Sequence, residues 1–262
     1  MRRERDRLLL IVSLLASFAR AQEPAQRYQP VFLADYQGEH PELAARYGPQ
    51  VEPLLKKLPS QVAVRLGLSA YEQGFRYPIT IRFVDHLAPH VAHALAGVTL
   101  DVSGGRIRQE FEVSLDDLAK DPMDFELLLA HEMTHAVLTD STGALPSLRF
   151  EPWLQEGLAE WASGDGEMRL RRARETANES PAADWVRDID APETGKSYVQ
   201  YYLAIKYLIE LNGTPGLQAF VRLLVQGVPP KEALRRRYGL GWTDFKSNVK
   251  AYTIATLSRK TD

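Results

Sequence analysis

Two histidines stand four positions apart in the stretch LLLAHEMTHAV, residues 127–137, with a glutamate directly after the first. On a helix, residues i and i+4 share one face, so His131 and His135 point the same way and can hold one ion between their imidazoles. Zinc suits this pair because it accepts neutral imidazole nitrogens. Glu132 is offset by about 100° from His131, so it is poorly placed as a ligand but can take a proton from a water at the metal. The spacing therefore predicts a zinc site with a general base that hydrolyses a carbonyl compound.

The alternative interpretation is an ordinary buried helix whose histidines are satisfied by hydrogen bonds in the core. A chance HExxH is expected in on the order of one chain in a hundred of this composition, so the motif needs support from the rest of the chain. The 262 residues include no cysteine, which excludes disulfides and thiolate ligands. Any metal here must be held by His, Glu or Asp.

The stretch WLQEGLAEW offers the third protein ligand that a catalytic zinc site normally has. Glu156 follows His135 after 20 intervening residues, which is enough for a second helix to turn back beside the first. Gly157 lets the helices approach closely, because it has no side chain. Glu160, one turn beyond Glu156, can accept a hydrogen bond from a liganding imidazole. The alternative is a solvated acidic face, although the two flanking tryptophans favour paired or metal-bound carboxylates.

The combination of HEMTH with WLQEGLAEW resembles the gluzincin metallopeptidases, and more narrowly the peptidase-MA-like domains of secreted bacterial proteins. The resemblance implies a zincin-like fold and three ligands for zinc (Zn2+), namely His131, His135 and Glu156. It also implies that Glu132 is the general base and that Glu160 lies behind the ligands.

The resemblance covers the chain from about Tyr77 to the C-terminus and implies a tyrosine that stabilises the oxyanion. In similar domains this tyrosine begins a helix of the pattern Y-x-x-S, followed by an apolar run. YVQYYLAIKYL fits this pattern from Tyr198, except that Tyr201 replaces the small residue. Tyr198 is the preferred candidate, with Tyr201 and Tyr202 behind it. Tyrosines at helical spacing that simply pack in the core are the alternative.

The sequence departs from aminopeptidase N in having no Gly-x-Met-Glu-Asn segment to capture a free amino group. DVSGGRIRQEFEV occupies the place where that segment is expected. The strands between Val98 and Val113 are instead predicted to bind an extended peptide by edge pairing.

The elements that must position these residues predict an α+β fold, with a small mixed sheet followed by a mostly helical part. A strand is expected at Tyr77–Asp85, and a strand, a turn at Gly104-Gly105 and a second strand follow. Pro49, Pro53 and Pro59 predict short helices broken by turns. Residues 22–75 are interpreted as a lead-in with covering helices, and residues 76–262 as the catalytic domain.

Helix ends are marked by local signals around the two motifs. Asp121 is the expected N-cap of the HExxH helix, Pro122 its first residue, and Asp124 an acid that favours the positive helix end. The next helix begins near Pro152 and stops at Gly164. Further helices are expected from Ser197 to Gly213, from Pro215, from Pro229 and from Gly241, and the charged segment from Asp165 is expected to be irregular after a helical start.

The N-terminus has the three parts of a signal peptide. A basic start, an apolar run of 12 residues from Leu8 to Ala19, and ARA at residues 19–21 predict cleavage before Gln22. The apolar run is shorter than the roughly 20 residues of a membrane span. The formal net charge of −2 gives no general attraction to nucleic acid or anionic membranes.

Together these features predict a secreted or periplasmic zinc metallopeptidase that acts on peptide or protein substrates. The first alternative is a catalytically silent, zinc-stabilised binding or scaffold protein with a peptidase-like fold. The second is a helical protein without metal. The basic run RLRRARE from Arg169 is interpreted as a solvated helix face.

Overall fold

The structure, a computed structural model, describes residues 27–87, 96–101, 107–120, 123–143, 150–177, 186–190 and 197–258. The described part of the chain contains these elements in order: β1 Val31–Leu33, α1 Pro41–Arg65, β2 Ile79–Val84, β3 Ala96–Asp101, β4 Arg108–Ser114, α2 Leu115–Lys120, α3 Phe125–Thr142, α4 Pro152–Ser163, α5 Asp165–Ala177, α6 Ser197–Val225, α7 Pro230–Tyr238 and α8 Trp242–Leu257. A small sheet followed by helices confirms the α+β prediction.

Some predictions fall outside the described residues. They are the signal peptide at 1–21, the Gly104-Gly105 turn, and the cap and first residue of the HExxH helix at Asp121 and Pro122. The division of the chain at residue 76 also stays a prediction. None of the helices in the described ranges is both long enough and apolar enough to cross a membrane.

The sheet is mixed, as predicted, and has the strand order β1-β2-β4-β3. Strands β1, β2 and β4 run parallel, and β3 pairs antiparallel with β4 at one edge. Alternate residues of β2 and β4, among them Ile81, Phe111 and Val113, face the helical core. The opposite face carries polar residues such as Arg82 and Glu112, which form an ion pair. This alternation follows from the period of two residues in a strand.

Helix α1 corrects the prediction of several short helices. Residues Pro41–Arg65 form one helix with Pro49, Pro53 and Pro59 inside it. Each internal proline costs about 3 kcal/mol, because it removes a hydrogen bond and crowds the preceding turn. The cost is offset by a buried stripe, in which each fully buried leucine or valine contributes about 1.5–3 kcal/mol. The stripe consists of Tyr47, Val51, Leu54, Leu55, Leu58 and Val62. Pro49 and Pro53 lie on the exposed side, where water can reach the unpaired carbonyl groups.

Helix α3, which carries HEMTH, lies deep in the core. Its N-cap is Asp124, whose side chain accepts hydrogen bonds from the backbone amides of Glu126 and Leu127. This cap lies three residues after the predicted Asp121, which is outside the described residues. Most of the helix is buried, including both polar and apolar residues around His131. A helix that is buried on all sides cannot place its polar groups in water, so they must find partners within the protein.

Helices α4 and α6 complete the frame of the site, and each has its predicted glycine at an end or at a break. Pro152 starts α4, and Gly164 ends it in a left-handed conformation, with φ of 94°. Helix α6 is interrupted at Asn212 and Gly213, where Gly213 has φ of 68°. The predicted helical start of the charged segment is α5, which runs from Asp165 to Ala177.

Candidate metal centre

The packing of α3 beside α4 brings together the three predicted metal ligands. Nε2 of His131 lies 3.2 Å from Oε2 of Glu156, and Nε2 of His135 lies 3.6 Å from the same oxygen. The two imidazole rings have centroids 5.0 Å apart at an angle of 68°. One ligand atom from each residue lies within 4.8 Å of the others, close enough for all three to bind one metal ion.

These distances suit a cation with tetrahedral coordination. In a tetrahedral site with bonds of about 2.0–2.1 Å, neighbouring ligand atoms are about 3.3–3.4 Å apart. The contacts of Glu156 with the two imidazoles, at 3.2 and 3.6 Å, bracket that spacing. Two imidazole nitrogens and a carboxylate form a donor set that zinc accepts. The residues present therefore fit a zinc ion, although the same set also fits other divalent transition metals.

Gly157, the neighbour of Glu156, allows α4 to pack closely against another helix. A Cβ atom at Gly157 would lie 2.5 Å from the carbonyl oxygen of Tyr201 and 2.9 Å from Cγ1 of Ile205. The close approach that the sequence predicts is present, but the helix approached is α6 rather than α3. Glu156 is thus fixed from behind by α6 while its carboxylate faces the histidines of α3.

Glu160 lies on the other side of His131, as the sequence predicts for the residue behind the ligands. Its side chain is fully buried, and Oε1 lies 3.5 Å from Nδ1 of His131. Because Nε2 of the same ring faces Glu156, the imidazole lies between two carboxylates. A carboxylate at Nδ1 favours the tautomer that leaves Nε2 free to bind a metal.

Charges in the centre shift the pKa values of all its members. Burial by itself lowers the pKa of His131, but Glu156 and Glu160 outweigh this effect and raise it to about 9. For His135, burial likewise lowers the pKa, and Glu156 reverses the shift to a raised value. Burial acts to raise the pKa of Glu156, yet the two imidazoles hold it well below its usual range. The carboxylates thus favour positive charge at Nε2 of both rings, which either protons or a metal ion can supply.

Glu132 is buried beside the ligands, but it is not placed to act as a ligand itself. Burial raises its pKa, while His131 and His135 partly oppose that shift. It belongs to neither group of metal-binding side chains found among the described residues. This agrees with the helical offset that makes it a poor ligand.

The three candidate tyrosines occupy different surroundings. Tyr198, in the first turn of α6, is partly buried, and its ring centroid lies 5.2 Å from Cζ of Arg169. Tyr201 and Tyr202 are buried in the core. The ring of Tyr202 packs over Gly166 in α5. Among the three, Tyr198 is linked to the centre through Arg169.

Arg169 is the residue that the sequence interpretation missed. Its Nε donates a hydrogen bond to Oδ2 of Asp165 at 2.7 Å and lies 2.9 Å from Oε1 of Glu160. The interpretation of RLRRARE as a solvated face is therefore wrong for Arg169, although Arg171 and Arg172 are exposed. The available signal was the i, i+4 spacing of Asp165 and Arg169 on a helix.

A second group of side chains at metal-binding distance consists of His131, Glu160 and Asp165. It includes the two carboxylates that lie beside Arg169. The guanidinium of Arg169 already contacts Glu160 and Asp165. These two acids therefore have a cation from the protein itself, which leaves the group around Glu156 as the candidate metal centre.

Comparisons with known proteins add nothing to this geometry. No protein-family model matches the sequence, and neither the curated proteins nor the solved structures give a significant match.

Proposed function

We propose that the protein is a secreted zinc-dependent metallopeptidase of the gluzincin type, with a zincin-like fold. The observation that carries the proposal is the meeting of one Glu156 oxygen with Nε2 of His131 and of His135, at 3.2 and 3.6 Å. Export rests on the predicted signal peptide at residues 1–21.

His131, His135 and Glu156 would hold the ion and leave a fourth position for water or substrate. Zinc in such a site supplies Lewis-acid chemistry, since it lowers the pKa of water to about 7 and polarises a carbonyl oxygen. The centre lies beside buried apolar residues of α3 and α4, which strengthens electrostatic interactions there.

Glu132 is the proposed general base. It is buried one position after a ligand, and burial raises its pKa above the usual value of a glutamate. It takes a proton from the attacking water and then gives that proton to the leaving amine. Tyr198 is the proposed donor to the oxyanion that forms on the scissile carbonyl.

The substrate that the fold suits is an extended peptide. Strand β3 is one of the two edge strands of the sheet, and α3 is one of the elements it contacts. Because β3 pairs with β4 on one side only within the described residues, its other side can receive a peptide strand. A peptide bound there would lie along the helix that carries Glu132.

Hydrolysis of peptides with blocked N-termini, compared between the wild type and Glu132→Gln, tests this proposal. The variant should keep its zinc and its fold but lose about 10²- to 10⁴-fold in kcat, the usual contribution of a general base. Zinc in both proteins without hydrolysis of any peptide by the wild type would overturn the peptidase proposal and favour a zinc-stabilised scaffold. A strict need for a free amino terminus would contradict peptide binding along β3.

A further inference from the structure

We propose that Arg169 is a positioning residue of the metal centre, which holds Glu160 against His131 and fixes the ring of Tyr198 beside it. This inference rests on the proposed metal site and adds a residue that the peptidase resemblance does not supply.

Glu160 and Asp165 are two buried acids that require a cation. Glu160 is 0% exposed and Asp165 is 3% exposed. A buried carboxylate without a partner costs several kcal/mol, so neither acid is stable there alone. Arg169 lies within 2.9 Å of one and 2.7 Å of the other, and its side chain is 34% exposed. One guanidinium therefore contacts both buried acids.

Arg169 also determines where the carboxylate of Glu160 lies. Neither oxygen of Glu160 has a hydrogen bond of good geometry among the described residues. Its position therefore depends on two ionic contacts of Oε1, at 2.9 Å to Nε of Arg169 and 3.5 Å to Nδ1 of His131. Without the guanidinium, Glu160 loses the closer of these two contacts. Glu160 would then move away from His131, and the ring would lose the partner that orients it.

The same guanidinium contacts the candidate oxyanion donor. Its Cζ lies 5.2 Å from the ring centroid of Tyr198, a distance typical of a cation–π contact. Arginine is suited to this double role because its planar group pairs with carboxylates through its edge and stacks through its face. Arg169 thus connects α4, through Glu160, to the first turn of α6.

Zinc affinity, measured by competition with a chromophoric chelator, tests the inference without any need for activity. Arg169→Met should weaken zinc binding by about 10- to 100-fold, the usual effect of losing a partner behind a metal ligand. Arg169→Lys should recover part of the loss, because it restores the charge without the planar geometry. Arg171→Met is the matched control, since Arg171 is exposed on the same helix, and it should leave the affinity unchanged.

The visible absorption of the cobalt-substituted protein provides a second readout. The bands of Arg169→Met should shift relative to the wild type, because the orientation of His131 changes, while those of Arg171→Met should not. A folded Arg169→Met with the affinity and spectrum of the wild type overturns the inference and leaves the metal site standing. If Arg169→Met does not fold, Arg169→Lys decides, and full wild-type affinity and spectrum in that variant overturns the inference. A wild type that binds no zinc refutes the proposed function itself.

Discussion

Replacement of Gly157 by alanine tests the contact that fixes Glu156. The new Cβ would lie 2.5 Å from the carbonyl oxygen of Tyr201, whereas ordinary contacts begin at 3.4 Å, so α4 and α6 must separate locally by about 0.9 Å. Overpacking of this kind costs about 1–3 kcal/mol, and a collision with backbone belongs at the upper end. Alanine recovers about 1 kcal/mol of helix propensity. The free energy of unfolding should therefore fall by about 2 kcal/mol.

The same displacement should weaken the metal site. Glu156 directly precedes the glycine, and metal–ligand distances tolerate only about 0.2 Å of error. A shift of the helix by several times that amount should lower zinc affinity by at least about tenfold. Urea unfolding of the metal-free protein gives the change in stability, and chelator competition gives the change in affinity.

Gly48→Ala is the matched control in another helix interior. A Cβ there would meet only Phe32 and Phe83, at 3.8 and 4.0 Å, which are ordinary contacts. Alanine should raise the free energy of unfolding by between zero and about 1 kcal/mol, the gain being reduced because residue 48 precedes a proline. A Gly157→Ala protein as stable as the control, with wild-type zinc affinity, would refute the close packing of α4 on α6.

Three further predictions concern α3 and its ligands. Asp124→Ala should lower the free energy of unfolding by about 1 kcal/mol in urea titrations, because two backbone amides lose their cap. Burial raises the pKa of Asp140, so the folded state binds this proton more tightly than the unfolded state does. Its contribution to stability is therefore most favourable below the unfolded pKa of about 3.9 and declines as the pH rises through the folded value. Asp140→Asn should flatten this part of the pH–stability curve, and an unchanged slope would contradict the assignment. Zinc affinity should rise with pH up to about 9, because zinc must displace protons from His131 and His135. The rise should be as much as about tenfold per pH unit for each imidazole proton released.

Local signals in the sequence predicted much of the site. The i, i+4 spacing of His131 and His135 needs only a helix, and the end of α4 needs only Gly164 to adopt its left-handed conformation. The alternation of β2 and β4 similarly follows from side-chain periodicity. The prediction of Glu156 as a ligand was harder, because it required two helices to pack side by side. That prediction depended on the apolar residues around Glu156.

Three of the errors share a different physical cause, since each depends on how a helix packs against the rest of the fold. The prolines of α1 predict breaks, but the stripe that this helix buries against the core outweighs them. Arg169 looks like part of a solvated run until α5 packs against α4 and places it beside Glu160. Gly157 was expected to serve the nearest motif in the chain, yet its neighbour is Tyr201 of α6. The spacing of residues in the sequence predicts which side chains share one face of a helix. It does not predict which other element that face packs against.

The metal content of the purified protein tests the central claim most directly. Elemental analysis of the wild type, His135→Ala and Glu156→Ala after mild purification should give near one zinc per chain in the wild type and little in either variant. Such a result would establish that the carboxylate between the two imidazoles completes a metal site. A wild type that holds no zinc, even after reconstitution, would contradict the account and leave a His–Glu–His cluster held by hydrogen bonds in a helical core.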